Sequence, residues 1–230
     1  MNKVNCEILE ASGYLPSLIV RFIEVFSRTN IELGGRGYLV GGAVRDLLMS
    51  VKTLDFDFTS TVDLDLLIAS LERKSSRDLS ILLVSKSKYL TAKCEVSRLS
   101  QTDIGTVEKI VIDLAQLRHD YYPTPGKAPE VRSGDLTEDA QRRDFSVNAL
   151  MLEIQPKAGT DVEFEIVDMV GGVSDISNKI IRVLHDKSFE DDPARLIRAV
   201  RFMVRYGIYF DEQTEILFAS AIQKECSRAL

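Results

Sequence analysis

Asp55 and Asp57 stand two apart in TLDFDFTS, and Asp113 follows in IVIDLAQ. The first stretch alternates, which is the period of a strand, so residues i and i+2 face the same side. The two carboxylates are therefore expected together, with Phe56 and Phe58 turned to the opposite, packed face. Carboxylates held side by side repel, and a divalent cation removes the conflict. Mg²⁺ takes oxygen ligands, commonly one or two carboxylates plus substrate phosphates. Asp113 lies at the end of another predicted strand. If the two strands are neighbours, it adds a third carboxylate on the same face. Three acids so placed suit two-metal phosphoryl transfer, one cation activating a hydroxyl and the other steadying a leaving pyrophosphate. Spacing alone leaves a second account open, in which Asp55 and Asp57 are solvent-facing residues of an edge strand.

Upstream, YLVGGAVRD runs a short apolar strand into a helix through Gly41 and Gly42. A helix N-terminus reached through glycine offers free N–H groups and close backbone approach, and so attracts phosphate. Arg45, one turn in, has a guanidinium fork matched to a pair of phosphate oxygens. Asp46 is placed to anchor a neighbouring arginine. The plainer account is a strand–turn–helix with an exposed Arg–Asp pair.

Two later stretches also carry polar residues at telling spacings. RRDFSVNALMLEI, starting at Arg142, is predicted as a helix with Asp144 and Asn148 on one face. A helix cap with solvated arginines explains it as well. In DDPARLIRAVRF, starting at Asp191, an aspartate caps a helix and Pro193 suits its first turn. Asp192 and Arg195 share a face there. A carboxylate acceptor beside a guanidinium donor can imitate the hydrogen-bonding edge of a base. Arg195, Arg198, Arg201 and Arg205 make a basic stripe, with Leu196, Ile197, Val200 and Met203 as the opposing apolar stripe. An ordinary amphipathic helix with a solvated basic face has the same pattern.

The elements that must position these residues follow from apolar periodicity. A helix is predicted over roughly residues 15–29. The GYLV strand, the AVRDLLMS helix, the TLDFDFTS strand and a helix capped by Asp63 come next. LSILLVSK, YLTAKCEVSRL and EKIVIDLAQL read as three strands. A Tyr/Pro/Gly loop over 121–131, the strand VEFEIVDM and a turn at Gly171–Gly172 lead to two closing helices. The last runs to Leu230 with no stop signal, so a fragment or a short relative of a longer protein is expected.

The chain has 230 residues, 45% hydrophobic and 28% charged, with a net charge of −6. It can bury a sizeable core, and its surface as a whole does not attract polyanions. Cys6, Cys94 and Cys226 form no CxxC pair, and the only histidines are His119 and His185, so a structural zinc site is not expected. Free thiols in a reducing cytosol are. No signal peptide and no run of about 20 apolar residues is present, which predicts a cytoplasmic protein without a membrane partner.

Taken in order, the motifs resemble one family. LVGGAVRD…DFDF looks like the first motif of the class II tRNA nucleotidyltransferase and bacterial poly(A) polymerase family, within the DNA polymerase β-like superfamily. RRDFSVNAL is similar to its second motif. DMVGGVSDISNKIIR resembles the third, with Asp168, Gly171, Gly172, Asp175 and Arg182 in place. DDPARLIRAVRF resembles the base-reading motif EDxxR, with Asp191 where glutamate is usual. The resemblance covers roughly residues 35–205. It implies an α+β fold: a nucleotidyltransferase head with a mixed β-sheet flanked by helices, expected over 1–155, then, over 156–230, a connecting strand and turn and an all-helical neck. It implies Mg²⁺ held by Asp55 and Asp57, with Asp113 completing the catalytic acids. Gly42, Arg45, Arg143, Asp144, Asn148, Asp192, Arg195, Arg198 and Arg201 are the implied nucleotide-binding set. CTP and/or ATP are the implied donors and the 3′ end of a tRNA the acceptor. Self-association, or a partner subunit, is expected to supply a missing tail. Poly(A) synthesis and a non-catalytic nucleotide- or RNA-binding remnant stand as alternatives.

Overall fold

The computed structural model describes residues 4–5, 13–76, 78–99, 107–159 and 161–228, with side chains from residue 13 to residue 224. The chain folds as two compact units. The first comprises Met1–Leu117 and Met151–Val167, the second Arg118–Leu150 and Asp168–Leu230.

The first unit opens with β1 (Val4–Asn5), α1 (Ser17–Glu32), β2 (Gly37–Val40), α2 (Gly42–Leu48), β3 (Asp57–Ser60) and α3 (Leu64–Arg73). The strands β4 (Ser80–Ser87), β5 (Thr91–Leu99) and β6 (Val107–Gln116) follow. Helix α1 forms because Leu18, Ile19, Phe22, Ile23 and Phe26 recur on one face, and all five are buried. Phe22 meets Phe58 edge-on at 5.0 Å between ring centroids, which seats the helix on the sheet. Asp63 caps α3 as expected, accepting the N–H groups of Asp65 and Leu66 at 3.0 and 3.1 Å.

The chain then builds part of the second unit: β7 (Arg118–Tyr121), β8 (Glu130–Ser133), α4 (Leu136–Gln141) and a 3₁₀ turn at Ser146–Asn148. It returns to the first unit as β9 (Met151–Pro156) and β10 (Val162–Val167). The sheet order is β1-β10-β9-β2-β3-β6-β5-β4. All pairs are antiparallel except β3–β6, which is parallel. The mixed sheet expected from the sequence is present. Residue 155, the expected border of head and neck, lies within β9, and β10 beyond it pairs with β9.

The second unit resumes with α5 (Gly172–Asn178), β11 (Ile180–Ile181), α6 (Ser188–Asp191), α7 (Ala194–Tyr206), β12 (Tyr209–Phe210) and α8 (Glu212–Arg228). Beyond Asp168 it is helical except for the short β11–β12 pair. Its core gathers Phe145, Val147, Ile181, Phe189, Leu196, Ala199 and Ile208.

Three local expectations need correction. The helix predicted from Arg142 onward is absent: α4 ends at Gln141, Phe145 is extended, and Met151 already begins a strand. The Asp144 carboxylate accepts the Phe145 N–H at 2.9 Å and the Asn148 side-chain amide at 2.9 Å. These bonds offer the backbone an alternative to a helix, and MLEIQP finds partners in β2 and β10. TLDFDFTS becomes strand only from Asp57. On α7, Ile197 and Val200 do not join Leu196 in the core; both are exposed, as is Val204, and Ala199 sits inward instead.

Candidate functional site

Strand register assembles the acids. In the parallel pair β3–β6, Asp57 stands opposite Asp113, and the Asp113 N–H donates to the Phe56 carbonyl at 3.1 Å. Asp55 lies in the irregular segment just before β3, where its N–H donates to Thr53 Oγ1 at 3.2 Å. Phe56 and Phe58 are buried on the other face, as the alternation requires. One carboxylate oxygen from each of Asp55, Asp57 and Asp113 lies within 4.8 Å of the others. Asp55 is exposed and the other two are half-buried, so a small ligand can reach all three. An all-oxygen, all-anionic donor set fits a hard divalent cation.

One cation is already present. Lys93, on β5 opposite Asp113, donates from Nζ to Asp113 Oδ2 at 2.8 Å. The next residue, Cys94, faces the other way and is a free, fully buried thiol. Burial pushes its pKa up to about 12, so it stays protonated and unreactive. The side chains of Cys6 and Cys226 lie outside the described residues.

The glycine corner forms where β2 passes into α2. Val40 pairs with Asp57, and Gly41 turns the chain with φ +69°, a conformation glycine adopts without steric cost. Arg45 does not stand exposed at this corner. It is buried, and its Nε and Nη2 donate to Asp46 Oδ1 at 2.8 and 2.6 Å. A Cβ at Gly42 would lie 3.4 Å from Arg45 Nη2, an ordinary van der Waals contact, so the guanidinium packs directly beside this corner.

The second unit gathers most of the remaining predicted residues into one charged network. Asp144 receives Asn148, and its Oδ2 lies 3.4 Å from Arg198 Nε. Arg198 Nη2 donates to Asp192 at 2.7 Å. Asp192 also accepts the Ala194 N–H at 3.0 Å, which makes it the residue that caps α7. Arg195 is turned inward, at 2% exposure. It donates to Ser188 Oγ at 2.5 Å and to the Arg142 carbonyl at 2.8 Å, with its Nε 3.8 Å from Asp192. Among the described residues, the Nε groups of Arg195 and Arg198 have no hydrogen-bond partner. Arg201 is exposed further along α7. The loop after Tyr121 closes here too: the Gly126 N–H donates to the Asp191 carbonyl at 3.2 Å. Burial raises the pKa of Tyr122, which feels Arg195, Asp120 and Asp192.

Two supports hold this network: Asp139, which the sequence did not single out, and the stretch that resembles the family's third motif, to which the sequence assigned no role. Asp139 on α4 is completely buried. It takes Arg142 at 2.7 and 2.9 Å and Arg143 at 2.8 and 3.2 Å. Burial alone would raise its carboxyl, but Arg143 and Arg142 outweigh that and hold it below its ordinary value. The capping box at Asp135 and Glu138 marks the start of α4, though not the burial of Asp139. The other support is the Asp168–Arg182 stretch. The Asp168 carboxylate accepts four backbone N–H groups at the start of α5. Asp175, buried, binds Ser146 Oγ at 2.6 Å and Arg182 at 3.0 and 3.1 Å. A Cβ on Gly172 would fall 2.3 Å from the Ser146 carbonyl. These residues hold the 3₁₀ turn that carries Asn148.

Residues 37–182 match the family model described as poly A polymerase head domain. The A-adding tRNA nucleotidyltransferase of Halalkalibacterium halodurans is 35% identical over 193 residues, covering 84% of this chain and 41% of that protein. The CC-adding tRNA nucleotidyltransferase of Deinococcus radiodurans is 34% identical over 172 residues, covering 74% and 41%. A solved CCA-adding enzyme in an apo form superposes with a TM-score of 0.76 at 28% identity, over 97% of this chain and 48% of that one. The chain thus spans less than half the length of each of these proteins. No helix among the described residues is long and apolar enough to cross a membrane.

Proposed function

The chain belongs to the poly A polymerase head-domain family, and from that premise we propose that it extends the 3′ end of a tRNA with C, A or both, drawn from CTP or ATP. The observation that carries this reading is the convergence of Asp55, Asp57 and Asp113 on one point. Divalent metal use goes with the family, and the cation proposed is Mg²⁺, which accepts a few carboxylates and completes its shell with substrate phosphates. When bound, it supplies charge that activates an attacking hydroxyl and steadies a leaving pyrophosphate. The chain's own residues do the rest. Asp55 and Asp57 hold the cation, and Asp113 completes the acid set. Gly42 offers backbone N–H to phosphate, and Arg45 steadies that corner from its seat on Asp46.

In the second unit, Arg143, Asp144, Asn148, Asp192, Arg195, Arg198 and Arg201 are proposed to bind the nucleotide. Asp192 presents the acceptor and the Arg198 guanidinium the donor that distinguish C and A from G and U, with Arg195 beneath them. Arg195, being buried, sets that geometry more than it reaches outward. A tRNA substrate implies work in the cytoplasm.

The test is incorporation of labelled CTP or ATP, with Mg²⁺, into tRNAs lacking one, two or all three of the terminal C, C and A. Addition of the missing nucleotides supports the reading and tells C addition from A addition. Long A tracts would favour a poly(A) polymerase instead. Nucleotide binding without product from any acceptor would leave a binding module.

A further inference from the structure

The acid cluster contains a charge that its proposed chemistry does not use. Lys93 reaches across from β5 and places Nζ 2.8 Å from Asp113 Oδ2. Its position is fixed by register, because Lys93 and Asp113 are direct partners in the β5–β6 ladder. The side chain is about half exposed, and so free to swing away. A carboxylate oxygen engaged by an ammonium is not available to a metal at the same time.

We propose that Lys93 is a resident counter-ion of the acid cluster, competing with the divalent cation for Asp113 and thereby weakening cation binding in the absence of substrate. The inference rests on the reading of these acids as a metal site. Without Lys93, three carboxylates within 4.8 Å of one another would repel, and would bind a cation the more tightly. With it, one acid is partly neutralised, and a cation enters that position by displacing a side chain. Lys93 is a positioning residue here, acting through Asp113.

The test is direct Mn²⁺ binding to the full chain, followed by loss of the free-ion electron paramagnetic resonance signal. Lys93→Met is expected to tighten Mn²⁺ binding roughly threefold to fivefold, the scale of an exposed ion pair. Lys93→Arg, which keeps the charge, should stay near wild type. On an Asp113→Asn background the Lys93→Met gain should vanish, because the contested oxygen is gone. Lys93→Ala gives the same test with a smaller side chain. Unchanged or weaker Mn²⁺ binding in both truncations would overturn the inference and leave the metal reading intact. Absence of Mn²⁺ binding by both wild type and Lys93→Met would sink the metal reading itself.

Discussion

In the first unit Asp57 and Asp113 owe their place to backbone pairing, and Asp55, just before β3, stands open to solvent. In the second unit the polar residues are seated by one another. Asp139 and Asp175 are buried beneath arginines, and Arg195 spends its donors on Ser188 and a carbonyl. Strand register is set by many bonds and survives the loss of one side chain. A buried ionic network is not so tolerant, since deleting one member strands its partners without compensation. Function and stability should therefore separate in the first unit and travel together in the second.

The most severe way to break this contrast is Asp139→Ala. It leaves Arg142 and Arg143 without their buried anion and should cost about 3–5 kcal/mol, read from the urea midpoint. A loss below about 1 kcal/mol would show that the network is decorative. Asp55→Ala should do the reverse. Nucleotide incorporation should fall about a hundredfold to a thousandfold, equivalent to about 2.7–4 kcal/mol, while the thermal midpoint stays within the range of a neutral surface substitution. A large drop in that midpoint would mean the acids are structural.

Gly172→Ala sharpens the same point on a smaller scale. Its new methyl meets a backbone carbonyl at 2.3 Å, and overpacking of this kind costs about 1–3 kcal/mol. Chemical denaturation would register it, and a neutral result would show that α5 and the 3₁₀ turn can part freely. The gentlest probe is pH. Burial, aided by Arg195, lowers the pKa of His185 below its ordinary 6.5. The unfolded chain then binds more protons than the native one as pH falls below about 6.5, so stability declines there and levels off below the folded pKa. His185→Gln should flatten that part of a stability–pH curve, and an unaltered slope would assign it to another group.

Asp57 was legible because alternation turns it away from the buried Phe58, whatever the strand pairs with, although Asp55 and Phe56 precede the strand itself. Asp113 was legible as a strand residue, but its meeting with Asp57 depended on a neighbour relation that local pattern does not encode. Lys93 was hidden for the same reason: twenty residues separate it from Asp113, and only the β5–β6 register joins them. The helix predicted from Arg142 failed because Asp144 and Asn148 bond to each other and to local backbone at the spacing a helix would also give. Asp139 looks in sequence like one more charge on a polar helix, and nothing local reports that it is buried. Arg195 was read as reaching outward for the same want of burial information. The basic stripe on α7 is real as spacing, yet its members differ: Arg195 is interior, Arg198 bridges two carboxylates, and Arg201 is exposed.

The parallel β3–β6 pair has a further consequence for how the protein comes into being. Thr59 and Ala115, bonded across that junction, are 56 residues apart in the chain, and every intervening strand forms hairpin-like neighbours that can assemble early. Loop closure across such a span is a slow, entropically costly event. The acids meet only when this seam shuts, so the ability to capture a divalent ion should report closure of this one seam during refolding.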